Sequence, residues 1–177
     1  ADNGPHHLVG GPTLGSLRDI EPDGLQNATA TGDDNTGTDD EDGLVSITGL
    51  VANGSAEVVV NVQGGSAKLD AWIDFNRNGD FETSERITTA GGTAVSTGNT
   101  TLSFTVPGTV VSGVSFARFR ISTAGGLDSF GLGNDGEVED HSVTILASPG
   151  AITVDDDYAG SSLGDSVDGG TFGVDRY

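Results

Sequence analysis

The chain has 177 residues and a formal net charge of −20, from 27 acidic and 7 basic side chains. So few basic residues argue against a nucleic-acid partner, because phosphate contacts require lysine and arginine, and no apolar run is long enough to span a membrane. The chain has no cysteine, so disulfides cannot stabilise it. Bound divalent cations would stabilise such a fold and would reduce the repulsion between its carboxylates.

The first 43 residues form an acidic leader with almost no periodic apolar pattern. A long segment without secondary structure is uncommon in a compact domain unless function or a ligand orders it. We therefore predict that the second acidic group of the leader binds metal ions, the alternative being a solvated acidic surface. The candidate ligands in this group are Asp33, Asp34, Asp39, Asp40, Glu41 and Asp42.

From Leu44 onward, short apolar runs are separated by glycine, asparagine, serine and proline. The predicted strands are Leu44–Leu50, Ala56–Gln63, Lys68–Phe75, Thr100–Val106, Val114–Ser122 and His141–Leu146. This spacing predicts an all-β fold, an antiparallel β-sandwich with long acidic calcium-binding loops and an extended C-terminal tail. The predicted core consists of Val45, Ile47, Val58, Val60, Leu69, Ala71, Ile73, Phe75, Leu102, Phe104, Ala117, Phe119, Ile121, Val143 and Ile145.

The segment from Asp74 to Glu85 fits the twelve-residue calcium-loop pattern D-x-[DN]-x-[DN]-G-x5-E. In such loops, side-chain oxygens at positions 1, 3 and 5 converge on the ion, and a glycine at position 6 makes the sharp turn. Position 7 offers its backbone carbonyl, position 9 often acts through water, and the glutamate at position 12 can bind with both oxygens. The predicted ligands are Asp74, Asn76, Asn78, Asp80, Glu82 and Glu85.

The flanks of this loop differ from those of a helical calcium-binding hand. The preceding residues 68–75 alternate in polarity and are rich in apolar and aromatic side chains, so they predict a strand. We therefore expect a calcium loop between strands. The alternative is a hairpin turn rich in aspartate, asparagine and glycine, but such a turn has no reason to place glutamate at position 12.

The segment Gly136-Glu137-Val138-Glu139-Asp140 resembles the signature of the GEVED domain, a module of large bacterial surface and secreted proteins. Two other segments are similar to that family and follow the same order, residues 71–76 before the loop and residues 117–122 as the penultimate strand. His141 departs from the family pattern, in which tyrosine is more usual. The resemblance covers roughly residues 2–145 and implies a β-sandwich of extracellular assemblies that binds calcium and catalyses no reaction.

Three carboxylates directly precede the last predicted strand: Glu137, Glu139 and Asp140. Glu137 and Glu139 are two residues apart, so on an extended chain they point to the same face. Facing carboxylates repel each other unless a cation or protons lie between them. We predict that this cluster shares metal ions with the acidic leader, the alternative again being a solvated acidic surface.

Four basic side chains are secondary candidates. Arg118 and Arg120 share one face of their predicted strand, opposite Phe119, where they would form ion pairs with the acidic leader or bind an acidic ligand. His6 and His7 could bind a transition metal, but no third ligand is near them in sequence. Capping or surface hydrogen bonding is therefore the favoured interpretation for both histidines.

The segment Ser148-Pro149-Gly150 marks a predicted boundary. Residues 1–147 would form the GEVED-like sandwich, with the leader at 1–43 and the strands at 44–147, and residues 148–177 would form a linker and an extended tail. The absence of methionine indicates a processed product or a part of a longer chain. We predict that Ile152-Thr153-Val154 adds as a strand to a sandwich edge, in the same domain or in the next copy, which would give a homo-oligomer or polymer.

Two functions remain open on the sequence. The first is a calcium-stabilised structural or adhesive module of an extracellular bacterial surface protein, such as a filament or surface-array subunit. The second is a carbohydrate-binding accessory module of a larger secreted enzyme, with Trp72 as either a core residue or an exposed platform. We expect no catalysis, because no Ser/His/Asp constellation or phosphate-binding glycine motif is present and carboxylates that bind calcium are not a tuned acid and base pair.

Overall fold

The computed structural model describes residues 4–18 and 41–147, and these residues are almost entirely strand and loop. The strands are β1 (His6–His7), β2 (Thr13–Leu14), β3 (Leu44–Ile47), β4 (Leu50–Val51), β5 (Ser55–Gln63), β6 (Ala67–Ile73), β7 (Thr93–Val95), β8 (Gly98–Thr105), β9 (Gly113–Ser122), β10 (Leu132–Gly133) and β11 (Glu137–Leu146). In the same residues one 3₁₀ turn, Thr83–Glu85, is the single helical element. No helix in this part of the chain is long and apolar enough to cross a membrane.

The larger sheet has five strands in the order β4-β11-β9-β6-β7. Its central strand β9 pairs antiparallel with β11 on one side and with β6 on the other. The β-branched and aromatic residues that favour strands are frequent in β6 and β9. Most residues of these two strands are buried on both faces, which places any polar side chain between them in a low-dielectric environment.

The second sheet is organised around β5, which pairs antiparallel with β2, β3 and β8. The valines of β5 alternate between buried and partly buried positions, as expected for a strand with one face on the core. A third, two-stranded sheet joins β1 to β10. The all-β prediction is confirmed, with one difference in detail: β1 with β10 and β4 with β11 pair in parallel.

Apolar side chains from both larger sheets belong to one hydrophobic cluster, and most of the predicted core is in it. Ile47 and Phe104 pack against the cluster while remaining partly exposed. Val45 was predicted to be a core residue, and this prediction is wrong, because its side chain is 51% exposed. A register shift between Leu44 and Ser46 in β3 is the physical reason, since the extra residue turns Val45 outward.

Two strand boundaries also differ from the sequence pattern. The predicted strand Leu44–Leu50 is divided into β3 and β4, which belong to different sheets. The last strand begins at Glu137 instead of His141, so the signature carboxylates lie within β11 and not in the loop before it. The longer strand matters for function, because successive side chains of a strand point to opposite faces and the signature carboxylates are therefore divided between the two faces of β11.

Arg120 lies on the central strand β9 with no exposed surface and uses all five of its guanidinium hydrogens. Four go to the backbone carbonyls of His6, Asp128, Phe130 and Gly131, at 2.7 to 3.3 Å. The fifth goes from Nε to His7 Nε2 at 3.1 Å. Burial is the main cause that lowers the pKa of Arg120, to about 10. The predicted role in an ion pair with the leader is thus replaced by hydrogen bonds to backbone and histidine.

His7 is the buried partner of Arg120 and is held as a neutral ring. Its Nε2 accepts from Arg120, so its Nδ1 carries the proton and donates to the carbonyl of Asp135 at 2.6 Å. Burial, and then the charge of Arg120, lower the pKa of His7 to about 4. This arrangement differs from the surface hydrogen bonding predicted for His7, while Nδ1 of His6 donates to the nearby carbonyl of Gly4 at 2.8 Å.

The neutral His7 predicts a loss of stability in mild acid. A histidine titrates near 6.5 when unfolded, so between pH 6.5 and about 4 the unfolded chain binds the extra proton. The stabilisation is complete above pH 6.5 and is lost as the pH falls through this range, by up to about 3 kcal/mol. We expect urea unfolding at several pH values to show that His7→Gln, which keeps one acceptor and one donor, removes this part of the slope. Equal slopes for both proteins would contradict the assignment.

Candidate metal centre

The twelve-residue loop that follows β6 is anchored at both ends. At its first residue, the N–H of Asp74 donates to the carbonyl of Phe116 at 3.0 Å, and its carbonyl accepts from the hydroxyl of Ser115. At its end, residues 83–85 form the 3₁₀ turn, in which the N–H of Glu85 donates to the carbonyl of Glu82 at 3.0 Å. The predicted position between strands is confirmed on the side of β6, while the residues after the loop form a single bridge, Trp72 with Arg86.

The loop turns sharply at its sixth residue. Gly79 has a φ of 91°, a left-handed conformation that side chains disfavour. Its N–H donates to Asp74 Oδ2 at 3.0 Å, and the N–H of Asn78 donates to Asp74 Oδ1 at 3.2 Å. The chain thus wraps around the carboxylate of Asp74, which is 2% exposed. This is the role that the calcium-loop pattern requires of a glycine at this position.

Two asparagines and two glutamates complete the interior of the loop. The side-chain amides of Asn76 and Asn78 donate to the two oxygens of Glu82 at 2.8 and 2.7 Å. Glu85 Oε1 accepts from the N–H of Phe75 at 2.8 Å, and its Oε2 accepts from the N–H of Glu82 at 3.1 Å. The structure therefore brings the side chains of five of the six predicted ligands into one hydrogen-bonded set, which the exposed Asp80 joins only through its backbone N–H.

No basic side chain in the described part of the chain forms an ion pair with Asp74, Glu82 or Glu85. Arg77 lies within the loop, but its guanidinium turns outward and donates to the carbonyls of Ser112 and Val114 at 2.9 and 2.7 Å. Burial, and also the charge of Glu82, raise the pKa of Glu85. The loop thus concentrates three carboxylates without a counter-charge, and a divalent cation would supply it.

The carboxylates of the loop are not arranged as a complete set of metal ligands in this structure. Across residues 4–18 and 41–147, no three His, Cys, Asp or Glu side chains are grouped so that they could hold a metal by themselves. The oxygens of Asn76 and Asn78 accept from backbone N–H groups two residues further on, at 2.9 Å each. The chemistry of the donor set fits calcium, which takes oxygen from carboxylates, amides and carbonyls together.

A second acidic pair lies on β11 and is also brought together by the fold. Glu137 and Glu139 are 2% and 1% exposed and share a face of the strand. Glu137 accepts from the N–H of Leu14 and lies 3.4 Å from Arg18, while Glu139 accepts from the N–H of Gly43 at 3.0 Å. Burial is the main cause that raises the pKa of Glu137 to about 8, and the charge of Glu139 adds to it.

Asp140 lies on the other face of β11 and is not part of this pair. Its carboxylate accepts two hydrogen bonds from Arg118, at 2.7 and 2.5 Å, deep in the structure. Arg118 also donates to the carbonyl of Ser129 at 2.8 Å and lies 4.9 Å from the ring of Phe81. Asp140 is therefore occupied by an arginine, where the sequence predicted a shared metal ion.

The leader carboxylates that the structure describes are Glu41 and Asp42. Asp42 accepts from the hydroxyl of Ser16 at 2.7 Å and from the N–H groups of Ser16 and Leu17 at 2.9 to 3.2 Å. These contacts connect Asp42 to the same segment that binds Glu137 through Leu14 and Arg18. The other predicted leader ligands, Asp33, Asp34, Asp39 and Asp40, lie outside the described residues.

A cleft of about 540 Å³ lies beside the twelve-residue loop and is lined by Phe81, Glu82, Arg86, Asp128 and Phe130, among others. Trp72 forms part of its floor and is 2% exposed, because Arg86 covers its ring at 4.3 Å. Arg86 is fixed there by Asp70 at 2.5 Å and by the carbonyl of Leu127. The contact between Arg86 and Trp72 could not be predicted from the sequence, because the two side chains meet only when the chain returns from the loop to β6.

The residues of the signature have structural partners throughout. Gly136 has a φ of 88°, and a Cβ at this position would lie 1.8 Å from the carbonyl oxygen of Ile121, so only glycine fits. Glu137 and Glu139 bind the N-terminal segment and Gly43, whereas Asp140 binds β9 through Arg118. The signature therefore joins the last strand to the two segments that precede the sheet and to its central strand.

The fold and the loop define an all-β domain with an acidic twelve-residue loop. The family model of the GEVED domain matches residues 68–144, from β6 to β11, within the stretch that resembles this family in sequence. The resemblance stated from the sequence is thereby confirmed. No curated protein matches the chain. Among solved structures, the chain is similar to a family 123 glycoside hydrolase from Clostridium perfringens that was analysed for glycolipid glycan hydrolysis, at 14% identity and a TM-score of 0.28. The alignment covers 56% of this chain and 22% of that one, so it spans about a fifth of that enzyme.

Proposed function

We propose that the chain is a calcium-stabilised β-sandwich module of an extracellular bacterial surface protein, with a structural or adhesive role and no catalytic one. The observation that carries the proposal is the loop after β6, where the N–H groups of a glycine turn enclose the carboxylate of Asp74. The loop also contains Glu82 and Glu85, and none of the three carboxylates has a basic ion-pair partner among the described residues. Calcium supplies the missing positive charge and links β6 to the 3₁₀ turn. The family match supports an extracellular setting, in which calcium is abundant. Since this chain has no cysteine, calcium would take the stabilising role that disulfides have in many extracellular proteins.

The ligands of the proposed ion are Asp74, Asn76, Asn78, Glu82 and Glu85, with the carbonyl of Asp80 as a backbone ligand. Binding would replace the hydrogen bonds that the two asparagine oxygens now accept from backbone N–H groups. A second ion at Glu137 and Glu139 is part of the same proposal, with ligands from the leader. In the described residues this pair is already stabilised by N–H donors and Arg18, so the loop after β6 is the primary site.

Glu85→Gln tests the primary site. The substitution keeps the size of the side chain but removes a charge, so we expect calcium affinity to fall at least tenfold, about 1.4 kcal/mol or more. Isothermal titration calorimetry of the calcium-free protein measures the change. Glu57→Gln is the matched control, because Glu57 is an exposed glutamate on β5, outside the loop. Equal affinity and stoichiometry in Glu85→Gln and the unchanged protein would reject the loop as the site.

The assembly of copies through the C-terminal tail completes the proposal. The tail, residues 148–177, lies outside the described residues, and its support is the sequence: a β-branched triplet, Ile152-Thr153-Val154, follows the Pro-Gly boundary. An extended segment of this kind can satisfy the free backbone groups of a strand edge. Filaments or arrays in calcium, observed by negative-stain electron microscopy, are the expected assemblies.

A carbohydrate-binding module remains the second candidate, and the cleft beside the loop is the observation that favours it. Phe130 is 59% exposed and Phe81 is partly exposed at the wall of this cleft, which also carries Glu82 and Asp128. Exposed aromatic rings with nearby hydrogen-bonding groups are typical of sugar sites, but Trp72 is buried and its ring is covered. A glycan array separates the two candidates, since a structural module gives no selective signal.

A further inference from the structure

β8 forms an edge of the second sheet that differs from the other edges. It pairs with β5 along all eight of its residues, from Gly98 opposite Val62 to Thr105 opposite Ser55. No strand in the described part of the chain pairs with its other side. The remaining edge strands β2, β3, β4 and β7 have two to four residues each. β8 is therefore the one long edge among the described residues.

The direction of its free backbone groups follows from the hydrogen bonds of β5. Asn61 donates to the carbonyl of Gly43 at 2.8 Å and Glu57 accepts from Thr48 at 2.9 Å, so the odd residues of β5 bond towards β3. Even residues of β5 therefore bond towards β8, since backbone groups alternate along a strand. By the register of the pair, the outward-facing N–H and C=O groups of β8 belong to Asn99, Thr101, Ser103 and Thr105.

This edge lacks the features by which natural proteins protect exposed strands. Charged side chains, prolines, bulges and very short length are the usual protections. β8 reads Gly-Asn-Thr-Thr-Leu-Ser-Phe-Thr and contains no charge and no proline, although the whole chain carries −20. Its pairing with β5 has no register shift, whereas the pairing of β3 has one. An unprotected edge of this length is a site for strand addition.

The two faces of β8 determine what kind of strand fits. Leu102 is buried and Phe104 is partly exposed on the core side, where its ring lies 6.5 Å from that of Phe75. The opposite face carries Asn99, Thr101, Ser103 and Thr105, which are all exposed. A strand that alternates apolar and polar residues would cover Phe104 with one face and continue the threonine-rich surface with the other.

We propose that β8 of one copy receives the segment Ile152-Thr153-Val154 of another copy as an added strand. This inference rests on the proposed assembly through the tail and names its acceptor. The triplet has the required alternation: Ile152 and Val154 would extend the apolar face next to Phe104, and Thr153 would lie beside Thr101 and Ser103. The five residues from Ala147 to Ile152 span at most about 17 Å when extended, so the acceptor copy would have to lie next to the end of β11.

Cysteine crosslinking tests the acceptor, because the chain contains no cysteine of its own. Opposite residues of an antiparallel strand pair have Cα atoms about 4.5–5.5 Å apart, within the range that a disulfide bridges. We expect Ser103→Cys/Thr153→Cys or Thr101→Cys/Thr153→Cys to give a ladder of covalent dimers, trimers and larger species on non-reducing gels after mild oxidation in calcium. Two β8 positions are used because the register is free to differ by two residues.

Val45→Cys/Thr153→Cys is the matched control, since Val45 is exposed on β3, at the opposite edge of the same sheet. A ladder of equal intensity in the control would overturn the proposal, and so would a crosslinked monomer, which would place the tail on its own domain. Normal assembly without any crosslink at β8 would reject this edge but leave the proposed assembly intact. Failure of the unchanged chain to assemble would reject the proposed assembly, and β8 with it.

Discussion

Removal of calcium is expected to lower the melting temperature of the chain by ~5–10 °C for each site that is emptied. Extracellular calcium modules bind with dissociation constants of roughly 0.1–1 mM. At about 10 mM calcium, a site of about 0.1 mM contributes about 2.7 kcal/mol to folding. For a chain of this size, 1 kcal/mol shifts the melting temperature by about 2–4 °C. Differential scanning calorimetry with and without EDTA measures the effect.

Two comparisons make this experiment specific. Magnesium should restore little of the lost stability, because it requires a near-ideal octahedron and loses its water reluctantly. Asp74→Ala removes the carboxylate at the centre of the loop, so its melting temperature should respond less to EDTA than that of the unchanged protein. An unchanged transition after chelation would show that calcium does not stabilise this fold.

The loop after β6 could be predicted from sequence because its geometry is local. Asp74, Gly79 and Glu85 have fixed spacings, and the structure holds them together through backbone N–H groups within the same twelve residues. The strands could be predicted for a similar reason, since alternation of polarity follows directly from strand geometry. Calcium binding by the loop stays a prediction, because its side-chain oxygens now accept hydrogen bonds from N–H groups of the chain.

The contacts that could not be predicted join residues that are distant in the chain. Arg120 and His7 are 113 positions apart, and nothing near either residue indicates the other. The exposed position of Val45 depends on a bulge that appears only in the pairing with β5. Asp140 is different, because the period of a strand separates it from Glu137 and Glu139 and places it on the same face as its neighbour Arg118. The alternation that places Glu137 and Glu139 on one face of an extended chain already predicts this separation from the sequence.

The second prediction with a large expected effect concerns the stability that depends on the buried ion pair between Arg118 and Asp140. Both side chains are buried, and the guanidinium binds both carboxylate oxygens. Arg118→Met leaves the charge of Asp140 unpaired in the interior, which costs about 3–5 kcal/mol. A domain of this kind has only about 5–15 kcal/mol of stability, so the loss is a large fraction of it. Urea unfolding in excess calcium measures the change.

A double variant separates the ion pair from a metal role for Asp140. Arg118→Met/Asp140→Leu removes both charges together, so we expect it to regain most of the stability, as apolar replacements of buried pairs often do. Arg118 also lies against Phe81 and binds the carbonyl of Ser129, whose hydroxyl donates to the carbonyl of Phe81 at 2.9 Å. A modest loss of calcium affinity is therefore expected in both variants. If Asp140 is instead a metal ligand, Arg118→Met will bind calcium more tightly and the double variant will lose a binding site.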